Sequence, residues 1–246
     1  MTAPVERQRA VRSDAGTIRF TERDLAVFAF LLDMKAAYEP DLAVMLGRLE
    51  GRSPLSDSAM RSVVNRWQRG GAAVAQKLIY GRPRMVSLTA NGAALFGEEH
   101  WRPVSEFIAY HQSDVARVRL WFEQKGSQTH GQLAEWESER QFRQHVGERF
   151  EGKGRAIHVP DGVVTWEDGV RAAVEVERSV KSGDRLRTIL TRLLGVYRQV
   201  NYVVANDAVG GAVRRAAEVV YDQAQQQGRT NLGQLVVLEI PAELHN

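Results

Sequence analysis

Apolar residues recur at helical spacing early in the chain and at strand spacing in several later stretches. Behind Thr21-Glu-Arg-Asp24, the residues Leu25, Val27, Phe28, Leu31 and Leu32 form one stripe, which predicts a helix. Thr21 is placed to cap it, and Asp24 to reach back as in a capping box. A second helix is expected from Pro40, with Leu42, Val44, Met45 and Leu46 inward, broken between Gly47 and Pro54. The third runs from Ser56 to Arg69. Its Met60, Val63, Val64 and Trp67 repeat at i, i+3, i+4, i+7, so they belong in a core. Ser58, Arg61, Ser62, Asn65 and Arg69 fall on the opposite face, and Gly70-Gly71 ends the helix. The period then drops to two. Gln76 to Tyr80 and Met85 to Leu88 flank Gly81-Arg-Pro-Arg84, which reads as a hairpin with Arg82 and Arg84 at its tip. Thr89 caps a short helix reaching Leu95-Phe96.

The later part mixes the two periods. Ser105 to Tyr110 and Asp114 to Gln124 read as helical, Gly126 to Gly131 as a hinge, and Glu135 to Phe150 as one helix with Trp136, Phe142, Val146 and Phe150 inward. Three strands are then expected, at 157–160, 163–166 and 171–177. They are separated by Asp161-Gly162 and Glu167-Asp168-Gly169, and Asp-Gly between apolar runs is a strong turn signal. A helix from Ser182 to Arg198, a strand at Tyr202 to Ala205, a helix from Val213 to Gln227 and a strand at Leu235 to Ile240 complete the order. A meander followed by helical crossovers gives a mixed sheet flanked by helices.

In the third strand Ala173, Glu175 and Glu177 share a face. Asp161 is close enough in the expected hairpin to join them. Clustered carboxylates are costly to bury unless a cation neutralises them. The group is therefore a candidate site for a hard ion, Mg²⁺ or Mn²⁺. The ordinary alternative is a solvated sheet face on which Glu175 and Glu177 pair with Arg171, Arg178 or Arg185.

Charge sharpens the picture of the first half. The net charge is +3, but residues 1–125 carry +4 and the remainder −1. Within 56–84 six basic residues face a single acid, Asp57, which suggests a surface turned toward a polyanion. Three helices followed by a basic hairpin describe a winged helix-turn-helix, whose third helix enters the major groove of duplex DNA while the wing tracks the backbone. Arg, Asn and Ser suit base edges and phosphates. The absence of cysteine excludes disulfides and thiol catalysis and fits a reducing cytoplasm. No apolar run approaches the ~20 residues of a membrane span, so no membrane partner is expected. Gly210-Gly211 is not followed by Lys-Ser/Thr, so no nucleotide cofactor is expected. The histidines lack ligand spacing and read as structural or surface residues.

The order of the later elements, with Pro160-Asp161 and Glu175-Val-Glu177, resembles the PD-(D/E)xK nuclease superfamily. The resemblance implies Asp161 and Glu175 as divalent-metal ligands and Glu139, in Trp136-Glu-Ser-Glu139, as a third acid on the leading helix. Glu177 stands where that superfamily places Lys; Lys181, four residues on, is the available substitute for positioning the attacking water. Over most of residues 20–205 the chain is similar to the replication-relaxation family of plasmids and mobile elements. The similarity runs through Thr21-Glu-Arg-Asp-Leu25, Leu88-Thr89-Ala-Asn-Gly92 and Ala173-Val-Glu-Val-Glu-Arg-Ser-Val-Lys181. The expected fold is α+β: a flexible arm (1–18), a winged helix (19–98), a helical connector (99–131) and a PD-(D/E)xK-like mixed-sheet domain (132–246). The expected function is double-stranded DNA binding in replication, transfer or transcriptional regulation of a mobile element. A homodimer is the expected state, since such regulators act on two-fold sites. The alternative is a Mg²⁺-dependent DNA endonuclease using Asp161, Glu175, Glu177 and Lys181.

Overall fold

The structure, a computed structural model, describes residues 18–78, 80–150 and 158–244. Of the expected arm only residue 18 falls within them; residue 157, the start of the first expected strand, lies outside.

The chain opens with α1 (Glu22–Met34), β1 (Ala37–Tyr38), α2 (Glu39–Leu49), α3 (Asp57–Arg69), β2 (Ala73–Gln76), β3 (Met85–Leu88) and α4 (Ala90–Ala94). The capping box of α1 forms as its residues require: Asp24 accepts from Thr21 N at 2.7 Å, and Thr21 Oγ1 accepts from Asp24 N at 3.4 Å. Asp24 is fully buried because it does more than cap. Its other oxygen accepts from Trp67 Nε1 at 2.7 Å and from the Arg66 guanidinium, which ties the start of α1 to the end of α3. Burial alone would raise its pKa. The hydrogen bonds from Thr21 and Trp67, with the charge of Arg66, outweigh that and lower it. β3 lies between β1 and β2 in an antiparallel three-stranded sheet. β2 sits three residues earlier than the expected run, because the Gly70-Gly71 turn delivers Ala73 directly opposite Leu88.

The two expected helices of the connector are one, α5 (Glu106–Lys125). Val115, Ala116, Val118, Leu120 and Phe122 are all buried, so the helix is covered on more than one side. After it come β4 (Leu133–Ser138), α6 (Glu139–Phe150), β5 (Gly162–Trp166), β6 (Arg171–Glu177), α7 (Gly183–Leu194), β7 (Gln199–Val204), α8 (Asp207–Gln226) and β8 (Gln234–Glu239). The five strands lie in chain order, β4 to β6 antiparallel and β6 to β8 parallel. On one face Ala173, Val200, Tyr202 and Val204 pack with α7 and α8. On the other, Val174, Val176 and Val203 join a core that runs through α5 into α1, α2 and α3. The described residues thus form a mixed α/β chain with eight helices and two sheets.

Two expectations about the sheet need correction. Glu135 to Phe150 is not one helix, since its first part is β4, paired with β5. Trp136 explains the choice. Its indole lies over Gly162, where any Cβ would come within 2.4 Å of the ring, and this close approach needs strand geometry. The helix then starts at a Ser138-x-x-Gln141 box, with Gln141 Oε1 accepting from Ser138 N at 2.8 Å and Ser138 Oγ accepting from Gln141 N at 3.2 Å. Conversely, residues 158–160 form no strand. Asp161 therefore precedes β5 rather than turning between two strands.

Arg117, near the middle of α5 and 6% exposed, joins the two sheets' surroundings. Its Nε donates to Asp41 of α2 at 2.9 Å, and its Nη1 to the carbonyl of Ala242, beyond β8, at 2.6 Å. Its guanidinium also lies 4.8 Å from the Tyr38 ring centroid. Burial pushes the Asp41 carboxyl up to about 6 despite Arg117 beside it. Removing one partner of a buried pair leaves an uncompensated charge, whereas replacing both is tolerated. Arg117→Met is therefore expected to cost about 3–5 kcal/mol, and adding Asp41→Leu to restore most of it. Urea denaturation of the three proteins measures this directly.

Candidate nucleic-acid interface and carboxylate site

α3 separates its two faces cleanly. Ser56 caps it through Ala59 N at 3.4 Å. Met60, Val63, Val64 and Trp67 are buried, and Ser58, Arg61, Ser62, Asn65 and Arg69 are all exposed. Among the described residues Arg61 and Arg69 have no ion pair. The candidate residues of the hairpin differ from these. Arg84 is held by a fork of two 2.9 Å bonds to Glu39, which raises its pKa through that hydrogen bond. Arg82 lies 5.0 Å from the ring centroid of Tyr110 on α5. The residue at the tip that sequence reading missed is Tyr80, whose side chain is 99% exposed. A cleft of about 410 Å³ between Arg61, Lys77, Pro83 and Glu39 separates α3 from the hairpin.

The carboxylates gather at the end of the sheet where β6 finishes and β5 begins. Glu175 and Glu177 are 5% exposed, on the face of β6 turned toward α7. Asp161 reaches the same end from the start of β5, where its Oδ2 accepts from Val176 N at 2.8 Å. Each carboxylate has its own partner. Asp161 Oδ1 is 2.9 Å from His111 Nε2, and Glu175 Oε1 is 2.8 Å from His158 Nε2. Glu177 pairs with Lys181, four residues on in the loop that leads to α7, and accepts from Ser179 N at 3.3 Å. Burial first, and then the charge of Asp161, raise Glu175 to about 7, against the hydrogen bond from His158. His111 also titrates above its ordinary value: burial opposes this, but the hydrogen bond it donates to Asp161 and the surrounding carboxylate charges exceed it. Tyr202 lies behind the group, its phenol raised by burial and by Glu175.

Sequence reading placed Asp161, Glu175, Glu177 and Lys181 together, and the structure does too. Glu139 is elsewhere engaged, with Arg143 on its own helix. The two histidines were the omission. His158 stands two residues before Pro160-Asp161, a local signal; His111 arrives from a helix some fifty residues earlier, and nothing local announces it. A divalent ion needs several oxygens converging on one point. Here each carboxylate is directed to its own internal cation or donor, and no group of three His, Asp or Glu side chains among the described residues could hold a metal ion. The side chains as arranged do not fit Mg²⁺ or Mn²⁺, and no step through a metal follows from them. No family model, curated protein or solved structure matches the chain. No helix of the described residues is long and apolar enough to cross a membrane.

The sign of the pH dependence follows from the two raised groups. A carboxyl whose folded pKa lies above its unfolded value near 4.5 contributes stability that is complete below that value and lost as pH rises through about 7. The raised His111 acts in the same sense, its contribution present below 6.5 and lost above. In Glu175→Gln the first contribution is absent at every pH. The stability of the native chain relative to this variant should fall by roughly 1–3 kcal/mol between about pH 5 and 8. Thermal or urea unfolding of both across that range measures it.

Proposed function

We propose that the chain binds double-stranded DNA, with α1 to β3 acting as a winged helix and α3 as the element that enters the major groove. The observation that carries this reading is the outward face of α3: five polar or basic side chains, none covered by the rest of the described chain, on a helix whose other face is sealed into the core. In this reading Arg61, Asn65 and Ser62 contact base edges, Ser58 and Arg69 the phosphates flanking them, and the hairpin with Arg82 and Arg84 lies along the backbone. The element order α1-β1-α2-α3-β2-β3, with β1 closing the sheet, supports the winged-helix assignment.

The sheet from β4 to β8 is read as a PD-(D/E)xK-like scaffold that serves binding rather than cleavage. His111, His158 and Lys181 occupy the carboxylates from within the chain, and Glu177 stands where a catalytic Lys would. The similarity to the replication-relaxation family adds the setting: replication, transfer or transcription control of a mobile element, in the cytoplasm, with the protein acting as a homodimer on two-fold sites.

The test is selection of bound duplexes from a random pool, followed by titration of the selected sequence. Arg61→Ala should weaken that complex by ~1–3 kcal/mol and leave binding to unrelated duplexes almost unchanged. Equal loss on every sequence would make Arg61 a phosphate contact, and no selected sequence at all would overturn the reading. Plasmid incubated with Mg²⁺ or Mn²⁺ should stay intact. Nicking that Asp161→Ala abolishes would instead establish a nuclease.

A further inference from the structure

We propose that β8 is the edge along which two copies of this chain join, antiparallel and with Val237 against Val237, to make one continuous sheet. The five-stranded sheet ends in β4 on one side and in β8 on the other. An edge strand offers unpaired N–H and C=O groups, and proteins blunt it with a bulge, a charge or a covering element. β4 is blunted. Its ladder breaks register between Leu133 and Glu135, and Glu135 and Glu137 stand in it. β8, Gln234-Leu-Val-Val-Leu-Glu239, carries four apolar residues in a row, and its ladder to β7 runs without a break.

The hydrogen bonds show which groups of β8 face out. Gln234 N donates to Arg198 O and Ile240 N to Val204 O, both at 2.8 Å. Even-numbered residues therefore bond inward to β7, and odd-numbered ones face the open edge. The open stretch is closed at both ends. At its start Leu235 N donates to the Tyr221 hydroxyl at 3.0 Å, and that hydroxyl donates to Gly233 O at 2.9 Å. At its finish Pro241 has no N–H to offer. Between these ends Leu235 O, Val237 N, Val237 O and Glu239 N have no partner among the described residues. This set is self-complementary about Val237. In a two-fold antiparallel pair each Val237 exchanges two bonds with its copy, and each Glu239 N meets Leu235 O of the other.

The helix above the edge carries the same symmetry. Tyr221 of α8 reaches the edge, so the flank that holds it faces out past β8. Arg214 and Glu218 share that flank at helical spacing. Both are exposed, and neither forms an ion pair among the described residues. Arg214 lies back beside Gly210, its Nη1 3.3 Å from where a Cβ would stand. Continuing the sheet lays the α8 helices of the two copies side by side in opposite directions. Each Arg214 then meets Glu218 of the other copy. An unrelated strand would match the backbone alone; a second copy matches the backbone and the charges. The edge gives a surface to the homodimer proposed above and rests on that reading only for the expectation of two copies.

The test is sedimentation equilibrium of the full chain without DNA, so that this edge and the DNA-binding reading can fail separately. A reversible dimer is expected. Val237→Pro removes an outward N–H and leaves the bonds to β7 in place, a position where an edge strand accepts proline. It should give a monomer with unchanged circular dichroism. Arg214→Glu and Glu218→Arg should each weaken the dimer by about tenfold or more, because like charges then face each other. The two reversals together should restore it. Glu135→Arg, on the blunted edge, should leave it unchanged. Should Val237→Pro lose its fold, the reversals decide. A chain that is monomeric at every concentration would overturn the proposal. A dimer that tolerates Val237→Pro, or that both single reversals leave intact, would overturn it equally.

Discussion

The Arg117 guanidinium makes its contacts in four directions, and the relation between the helical half of the molecule and the five-stranded sheet depends on them. It meets Asp41 at the start of α2, the Tyr38 ring in β1, and the carbonyls of Pro241 and Ala242 past β8. A charge in that position is tolerated only with full pairing. The requirement works in reverse as well: sliding α5 along α2, or shifting the end of the chain, would strand either a buried cation or a buried anion. Apolar packing around Val118 and Phe122 is less particular about register. The polar junction is what gives one arrangement of the two halves an advantage over its neighbours.

The same logic governs the carboxylates at the end of β6. Their burial is caused by the sheet, because alternation places Glu175 and Glu177 on the side covered by α7. Once there, they must be protonated, hydrogen-bonded or matched by positive charge. The chain uses all of these. Lys181 matches Glu177, His158 meets Glu175, and Glu175 itself is raised toward neutrality. His111 of α5 couples this end of the sheet to the helix that carries Arg117. One residue before it, Tyr110 receives Arg82 of the hairpin and Arg178 from the loop after β6. Hairpin, helix and carboxylate end therefore meet at this stretch of α5.

Elements that bury one face by themselves were legible in the sequence. α1, α3, β6 and α8 follow their periodicities, and the caps at Thr21, Ser56 and Thr89 form where the residue types indicate. β4 was not legible, because Leu133 to Ser138 is short and its decisive partner, Gly162, lies more than twenty residues away. Its strand state is a tertiary choice, made by the fit of Trp136 over that glycine. The Ser138-x-x-Gln141 box did mark where the helix begins, and read strictly it would have excluded a helix from Glu135. The acidic residues of the sheet site were visible for a related reason: strand alternation is local. Their partners came from a different helix and a preceding loop, and spacing alone could not bring in His111.

Charge counting along the chain likewise overstates the basic surface. Four of the six cations in 56–84 make no ion pair among the described residues, but Arg66 is neutralised by Asp24 and Arg84 by Glu39, acids that lie outside that window. The excess left at the α3 and hairpin surface is smaller than the sequence suggests, and Arg82 is spent on an aromatic face. Non-specific affinity for duplex DNA scales with the number of phosphates neutralised, so this surface is poorly supplied for charge-driven binding. What it retains is a row of hydrogen-bonding groups on a helix braced at both ends, by Ser56 at its start and by Asp24 gripping Arg66 and Trp67 near its finish. In the proposed reading such a surface would discriminate through the placement of donors and acceptors on base edges, a task for which rigidity counts for more than net charge.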